Sequence, residues 1–173
     1  MKAKREILLL SLLTVPLVIL IGCGKKAAED EPPDKLIIEP LVGIGPVNFG
    51  MSEDEVMKHF GQPDRIFQGE VTKLNYVPSR GLVFVVDAEL GMNEIGCWSE
   101  GMLPSRITTF AGKTKEGIGI GATQEEIVDA YGQPDRTSTG SRALVETLHY
   151  DKLQARFTLM EGRLMSMVLN APK

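Results

Sequence analysis

The chain has 173 residues, of which 43% are hydrophobic and 24% are charged, a composition typical of a globular protein rather than a disordered one. The length suits one domain or two small ones. A net charge of -4 argues against a protein that binds nucleic acid by neutralising phosphates. Because there are only two cysteines and two histidines, a zinc site of these side chains is nearly excluded. We expect no metal, no cofactor and no nucleic acid as a ligand.

Residues 1–22 have the layout of a signal peptide. Lys2, Lys4 and Arg5 form a positive amino-terminal region, and residues 7–21 are almost wholly apolar. This apolar stretch is shorter than the roughly 20 residues that a membrane-spanning helix needs, and Pro16 interrupts it. Removing residues 1–22 takes away three cations and one anion, so the net charge of the mature chain falls from -4 to -6.

The signal peptide ends in Leu20-Ile21-Gly22-Cys23, which resembles the lipobox of bacterial lipoproteins. The resemblance implies cleavage after Gly22, a diacylglyceryl group on the Cys23 thiol and a further acyl chain, such as palmitate, on the new amino terminus. An ordinary secretory signal with a chance cysteine is the alternative. Two acyl chains anchor a protein stably, so we expect the mature chain to be tied to a lipid bilayer. By the same resemblance, Gly24 in place of Asp favours the periplasmic side of the outer membrane.

Residues 23–36 are predicted to form a flexible tether between the anchor and the domain. They are mostly polar and charged, contain Pro32-Pro33 and lack hydrophobic periodicity. Fully extended, such a segment reaches about 40 Å at roughly 3.3 Å per residue. This is enough to hold a domain clear of the lipid headgroups.

An internal repeat gives the strongest signal in the sequence. Residues 50–65 align without gaps to residues 121–136, and both segments end in Gly-Gln-Pro-Asp-Arg. Five identical residues in a row are rare by chance in a chain of this size, so the alignment indicates a duplication. We place repeat 1 at 37–111 and repeat 2 at 112–173, and expect the two to form one globular unit.

Each copy opens with the signals of one short helix. A Ser or Thr N-cap is followed three residues later by Glu, the pattern of a capping box. A Gly then ends the helix, predicted in the left-handed conformation, and a Pro forbids its continuation. These residues are Ser52, Glu55, Gly61 and Pro63 in the first copy and Thr123, Glu126, Gly132 and Pro134 in the second.

Three strands are predicted after each helix. Alternation and turn residues place them at 72–77, 82–87 and 92–98 in the first copy and at 146–150, 154–160 and 163–170 in the second. Residues 82–86 are apolar throughout and predict a central strand, and 107–110 are a further strand candidate. The predicted fold class is α+β, with two tandem helix–β–β–β repeats whose short helices pack on antiparallel sheet.

The pattern Gly-(Met/Ala)-(Ser/Thr)-x-x-Glu-(Val/Ile), followed by (Phe/Tyr)-Gly-Gln-Pro-Asp, resembles a known superfamily. It is similar to the tandem-repeat fold of β-lactamase inhibitor protein and of the small lipoproteins of outer-membrane β-barrel assembly (SmpA/OmlA-like). The resemblance covers roughly residues 42–170 and implies a binding or assembly module rather than an enzyme. This chain departs from the superfamily in having one clear helix per copy and no cysteine pair for a disulfide within a repeat.

Few side chains are candidates for a catalytic or metal-binding role. Cys97 lies in an apolar stretch and is expected to be buried, or else to form an intermolecular disulfide. His59 is expected to be solvated on a helix, whereas the sequence does not fix the side on which His149 lies. The repeated Asp64-Arg65 and Asp135-Arg136 pairs are interpreted as braces of the turn after each helix rather than as a functional pair.

Aromatic residues are the best candidates for contacts with a partner. Tyr76 and Tyr150 occupy similar places in the two copies, which favours a role in the core. Trp98 has no equivalent in the second copy and is the first candidate for a surface anchor.

The leading functional hypothesis is an envelope lipoprotein that acts as a non-catalytic interaction or assembly module. A proteinaceous inhibitor of an envelope or extracellular hydrolase is the alternative. A small hydrolase is the third reading, and it is disfavoured because the chain has no nucleophile elbow, HExxH motif or paired carboxylates on one element.

Overall fold

A computed structural model describes residues 36–101, 107–140 and 144–173. The predicted signal peptide, Cys23 and the tether up to residue 35 lie outside the described residues. Within them, no helix is long and apolar enough to cross a membrane.

Strands dominate the described part of the chain and form two sheets. In chain order they are β1 (Ile37–Glu39), β2 (Gly43–Ile44), β3 (Val47–Asn48), β4 (Arg65–Phe67), β5 (Thr72–Tyr76), β6 (Leu82–Asp87), β7 (Gly91–Trp98), β8 (Lys113–Thr114), β9 (Arg136–Thr139), β10 (Val145–Tyr150), β11 (Ala155–Met160) and β12 (Arg163–Asn170). The large sheet has eight strands in the order β4-β5-β6-β7-β12-β11-β10-β9, and the small sheet runs β3-β2-β1-β8. The large sheet is antiparallel throughout, with β7 and β12 side by side at its centre.

Two short helices, α1 (Glu53–Phe60) and α3 (Gln124–Tyr131), have the predicted N-terminal caps. The Ser52 and Thr123 side chains each accept a hydrogen bond from the backbone N–H of the third helical residue. The carboxylates of Glu55 and Glu126 accept the cap residues' N–H groups in return. These hydrogen bonds hold the pKa of both glutamates below the usual value.

The chain adds a four-residue helix and a 3₁₀ turn at equivalent places in the large sheet. Helix α2 (Val77–Arg80) joins β5 to β6, and the 3₁₀ turn Asp151–Leu153 joins β10 to β11. Asp64 accepts hydrogen bonds from the backbone N–H and hydroxyl of Ser79, and Asp135 accepts one from the backbone N–H of Asp151. The predicted bracing role is thus confirmed for both aspartates.

One hydrophobic core lies between the large sheet and the elements packed on it. Val56 and Phe60 of α1 and Ile127 of α3 are buried in it, as are Ile38 and Ile44 of the small sheet. The prediction of short helices packed on antiparallel sheet is therefore confirmed.

The strand predictions were incomplete at the sheet edges. Each long helix is followed by four strands instead of three, because β4 and β9 each add an exposed edge strand. Residues 107–110 contain no strand. Leu36, assigned to the tether, is only 2% exposed and packs in the core.

The glycines that end α1 and α3 differ from the predicted left-handed conformation. Gly61 has φ 76° and ψ -169°, and Gly132 has φ 79° and ψ -169°. The positive φ still favours glycine, but the extended ψ turns the chain away from the helix towards the edge strand.

Candidate functional site

The two faces of the large sheet have different surroundings. Leu148, Phe157 and Met167 point to the face that carries α1 and α3, and all three are fully buried. Residues that alternate with them point to the opposite face, called the outer face here, and Thr147, Thr158 and Val168 are half-buried there. Neither long helix covers the outer face, since their buried residues lie in the core on the other side.

The first half of the outer face, formed by strands β4 to β7, carries a small apolar cluster. It is separate from the main core and contains Val77, Val83, Val85 and Ile107, with Val71 and Trp98 packed against it. The Trp98 ring lies across Gly96 of the same strand, where a Cβ would come within 2.0 Å of the ring. Trp98 is therefore half-buried against this small buried cluster, and its role as a partner contact stays a prediction.

One row of residues crosses the outer face from edge to edge. Each member is the register partner of the next, and the row reads Arg65, Asn75, Val83, Gly96, Val168, Arg156, His149 and Arg136. Its first half contains one cation, whereas its second half contains two arginines and a histidine. We call Arg136, His149 and Arg156 the basic row.

The arginines of the basic row make long ion pairs at the protein surface. Arg136 Nε lies 3.9 Å from an Asp151 oxygen, and an Arg156 terminal nitrogen lies 3.6 Å from a Glu94 oxygen. Both distances exceed that of a normal hydrogen bond, and both arginine side chains are about half exposed, at 63% and 47%.

His149 lies buried between the two arginines and is only 8% exposed. Its Nε2 is 2.9 Å from the Ser138 hydroxyl, whereas Nδ1 is buried without a hydrogen-bond partner among the described residues. Burial, and then the charges of Arg136 and Arg156, lower the pKa of the imidazole, while Asp151 opposes them.

The basic row lines a solvent-open cavity of about 900 Å³ at the carboxyl-terminal end of the chain. Its other lining groups are mainly polar and include Asn93, Gln154, Asn170 and Lys173. The arrangement can hold a small polar or anionic group against a sheet surface. It lacks the metal-binding constellation of three or more His, Cys, Asp or Glu side chains, and none exists in the part of the chain that the structure describes.

The other residues singled out from the sequence do not gather at this cavity. Gly22 and Cys23 lie outside the described residues. Cys97 is buried on the core side of β7, and burial raises the pKa of its thiol far above the usual value, as expected of a structural cysteine. His59 is half-buried on α1.

The basic row was not predicted from the sequence. The alternation in β11 does place Arg156 on the wetter face, but only the strand register brings it beside His149 and Arg136. The turn at Asp151–Leu153 sets the pairing with β10, but the edge strand β9, which carries Arg136, has no alternation and was not predicted.

Comparison with known proteins adds little to these observations. No family model and no curated protein matches the chain. Among solved structures, the chain is similar to the crystal structure of a DUF4309 family protein (YjgB) from Bacillus subtilis, with 15% sequence identity and a TM-score of 0.42. The match covers 70% of this chain and 78% of the other.

Proposed function

We propose that the protein is a bacterial envelope lipoprotein, anchored through acylated Cys23, that acts as a non-catalytic protein-interaction or assembly module. The observation that carries this proposal is the outer face of the large sheet. Its second half is largely polar, its first half carries a small buried apolar cluster edged by the half-buried Val71 and Trp98, and the two long helices lie on the other side. A stable interface needs roughly 800 Å² per partner, which an eight-stranded sheet face can supply.

We further propose that the fold arose by duplication of one helix-and-strand unit. Matching contacts at equivalent places support this. Gly50 donates its N–H to the Met92 carbonyl before α1, and Gly121 donates to the Leu164 carbonyl before α3. After the helices, the hydroxyls of Tyr76 and Tyr150 donate to the carbonyls of Gly61 and Gly132.

The anchor is tested by Cys23→Ser. The variant should incorporate no labelled fatty acid and should remain uncleaved after Gly22, because the thiol is the acylation site implied by the lipobox. Continued labelling, or a wild-type mature amino terminus at another position, would contradict the anchor.

The binding surface is tested by photo-crosslinking in intact envelopes. A photoreactive residue replaces Val168, half-buried on the outer face, or Lys58, exposed on α1, as the matched control. We expect a discrete crosslinked product at position 168 and none at 58. Trp98→Ala should reduce that product, whereas Ile37→Ala, an equally apolar change at an exposed site of the small sheet, should not.

Identification of the crosslinked protein separates the hypotheses. Envelope assembly proteins would support the proposed role, and a hydrolase would favour an inhibitor instead. Equal crosslinking at both positions, or none at either, would contradict the outer face as the binding surface.

A further inference from the structure

The basic row is not a requirement of the fold. The two halves of the large sheet offer matching positions, and Arg65, Asn75 and Val83 hold in the first half the places that Arg136, His149 and Arg156 hold in the second. The amide of Asn75 and the aliphatic side chain of Val83 thus occupy, in the first half, the positions that His149 and Arg156 occupy in the second. The second half therefore places one guanidinium group on each side of a histidine, and their charges help to lower the pKa of the imidazole.

The described residues compensate this charge only weakly. The two carboxylates that face the row, Asp151 and Glu94, reach Arg136 and Arg156 through exposed contacts of 3.9 and 3.6 Å. Exposed ion pairs of this kind contribute little, since water and salt screen them. The guanidinium groups therefore keep N–H donors available to a ligand.

The buried imidazole of His149 also supports a ligand site at the basic row. His149 is more than nine-tenths buried in the wall of the cavity, and its Nδ1 has no hydrogen-bond partner in the described part of the chain. Buried polar atoms are nearly always paired, so this nitrogen calls for a partner that the described residues do not supply, such as an ordered water or a ligand.

We propose that the basic row is a binding site for a phosphate group. Arg136 and Arg156 stand two strands apart, roughly 10 Å between their backbones at the usual strand spacing. Their long side chains can converge on one tetrahedral anion above His149, and the guanidinium fork suits phosphate oxygens. A bound phosphate also stabilises the protonated imidazole beneath it. The site needs no protein partner, so it goes beyond the proposed function.

The experiment uses the full chain in a non-ionic detergent, with its histidines isotopically labelled. The chain contains only His59 and His149, so NMR resolves two ring signals, and His59 on α1 serves as the internal reference. Inorganic phosphate is titrated at constant ionic strength. We expect a saturable shift of the His149 signals, with a dissociation constant on the order of 1 mM, and a rise of the His149 pKa on saturation.

Variants test the assignment of the two arginines. Arg136→Gln and Arg156→Gln should each weaken phosphate binding about tenfold, while Arg65→Gln, the matched edge residue of the other half, should leave it unchanged. Circular dichroism verifies that each variant is folded.

A second titration with short-chain phosphatidylglycerol distinguishes the sources of the phosphate. Tighter binding than inorganic phosphate indicates a lipid headgroup, and weaker binding indicates a free phosphate or phosphate monoester. Absence of a saturable shift with both probes would overturn the proposal, as would equal shifts of His59 and His149 or unchanged binding in both arginine variants. Crosslinking at position 168 does not depend on this result, so either proposal can fail without the other.

Discussion

Tyr76 and Tyr150 show how one side chain joins a helix end to the sheet. Their rings pack edge-on against Phe84 and Phe157, and their hydroxyls donate to the carbonyl of the glycine after each helix, at 2.7 and 2.9 Å. Burial raises the pKa of Tyr76 to about 12, so this hydroxyl remains a donor over the physiological range. The prediction that both tyrosines belong to the core is confirmed.

His149 should make the stability of the protein depend on pH. Its pKa in the folded state lies below the unfolded value of about 6.5, so between these two values the unfolded chain binds more protons. The stabilisation is complete above about pH 6.5 and is lost as the pH falls towards the folded pKa. His149→Asn, which copies the residue at the matching position 75, should flatten this dependence.

Urea unfolding of residues 24–173 between pH 7.5 and 5 measures the effect. The free energy of unfolding of the wild type should decrease with falling pH more steeply than that of His149→Asn. His59→Asn controls for the removal of a histidine elsewhere in the chain. Parallel curves for wild type and His149→Asn would show that His149 does not titrate differently in the folded state.

At the scale of elements, the two capping boxes make a matched pair. Ser52→Ala and Thr123→Ala each remove the side-chain acceptor for the third N–H of an eight-residue helix. Each change should lower the free energy of unfolding by about 1 kcal/mol, and the double variant by about the sum, because the helices contact different strands. The measurement is denaturant unfolding, with exposed Thr139→Ala of the edge strand β9 as a control outside the helices. No loss at either cap would mean that tertiary packing alone fixes where the helices begin.

Elements with a strong local pattern could be predicted from the sequence, and the others could not. The bounds of β6 and β12 were predicted to the residue, because both strands carry long apolar or alternating runs between turn residues. The edge strands β4 and β9 have three and four residues, all exposed, so they show no alternation. The small sheet was missed for a similar reason, since three of its strands, β2, β3 and β8, are only two residues long, and β8 pairs with the distant β1.

The register of the paired strands was harder to predict from the sequence than the strands themselves. The pairing of β11 with β12 shifts between Thr158 and Leu159, and that of β6 with β7 shifts between Val85 and Val86. Each bulge changes which residues face each other across the sheet. The basic row is aligned by the pairings of β9 with β10 and of β10 with β11, which carry no such shift. It could not be predicted because the edge strand β9, which carries Arg136, was not predicted.

At the scale of the whole molecule, the pairing of β7 with β12 determines whether the two halves of the sheet are separate domains. Five residue pairs, from Trp98–Ser166 to Asn170–Glu94, join the two halves into one continuous sheet. Strand β1 of the first half also pairs in parallel with β8 of the second. Ile95 and Cys97 on one side and Met167 and Leu169 on the other belong to a single core.

Residues 24–173 should therefore unfold in one cooperative transition, and neither 24–111 nor 112–173 should fold alone. Separation would turn β7 and β12 into unpaired edges and expose their core residues. The second piece has only 62 residues, and a unit of that size buries only about 60% of its chain surface even when it folds. Thermal unfolding is followed by circular dichroism at two wavelengths. The far-ultraviolet signal reports the strands, and the near-ultraviolet signal of Trp98 reports its packing. For the whole domain the two signals should have the same midpoint. A sharp independent melt of either half, or separate midpoints by the two signals, would show instead that the halves are two domains that share an edge.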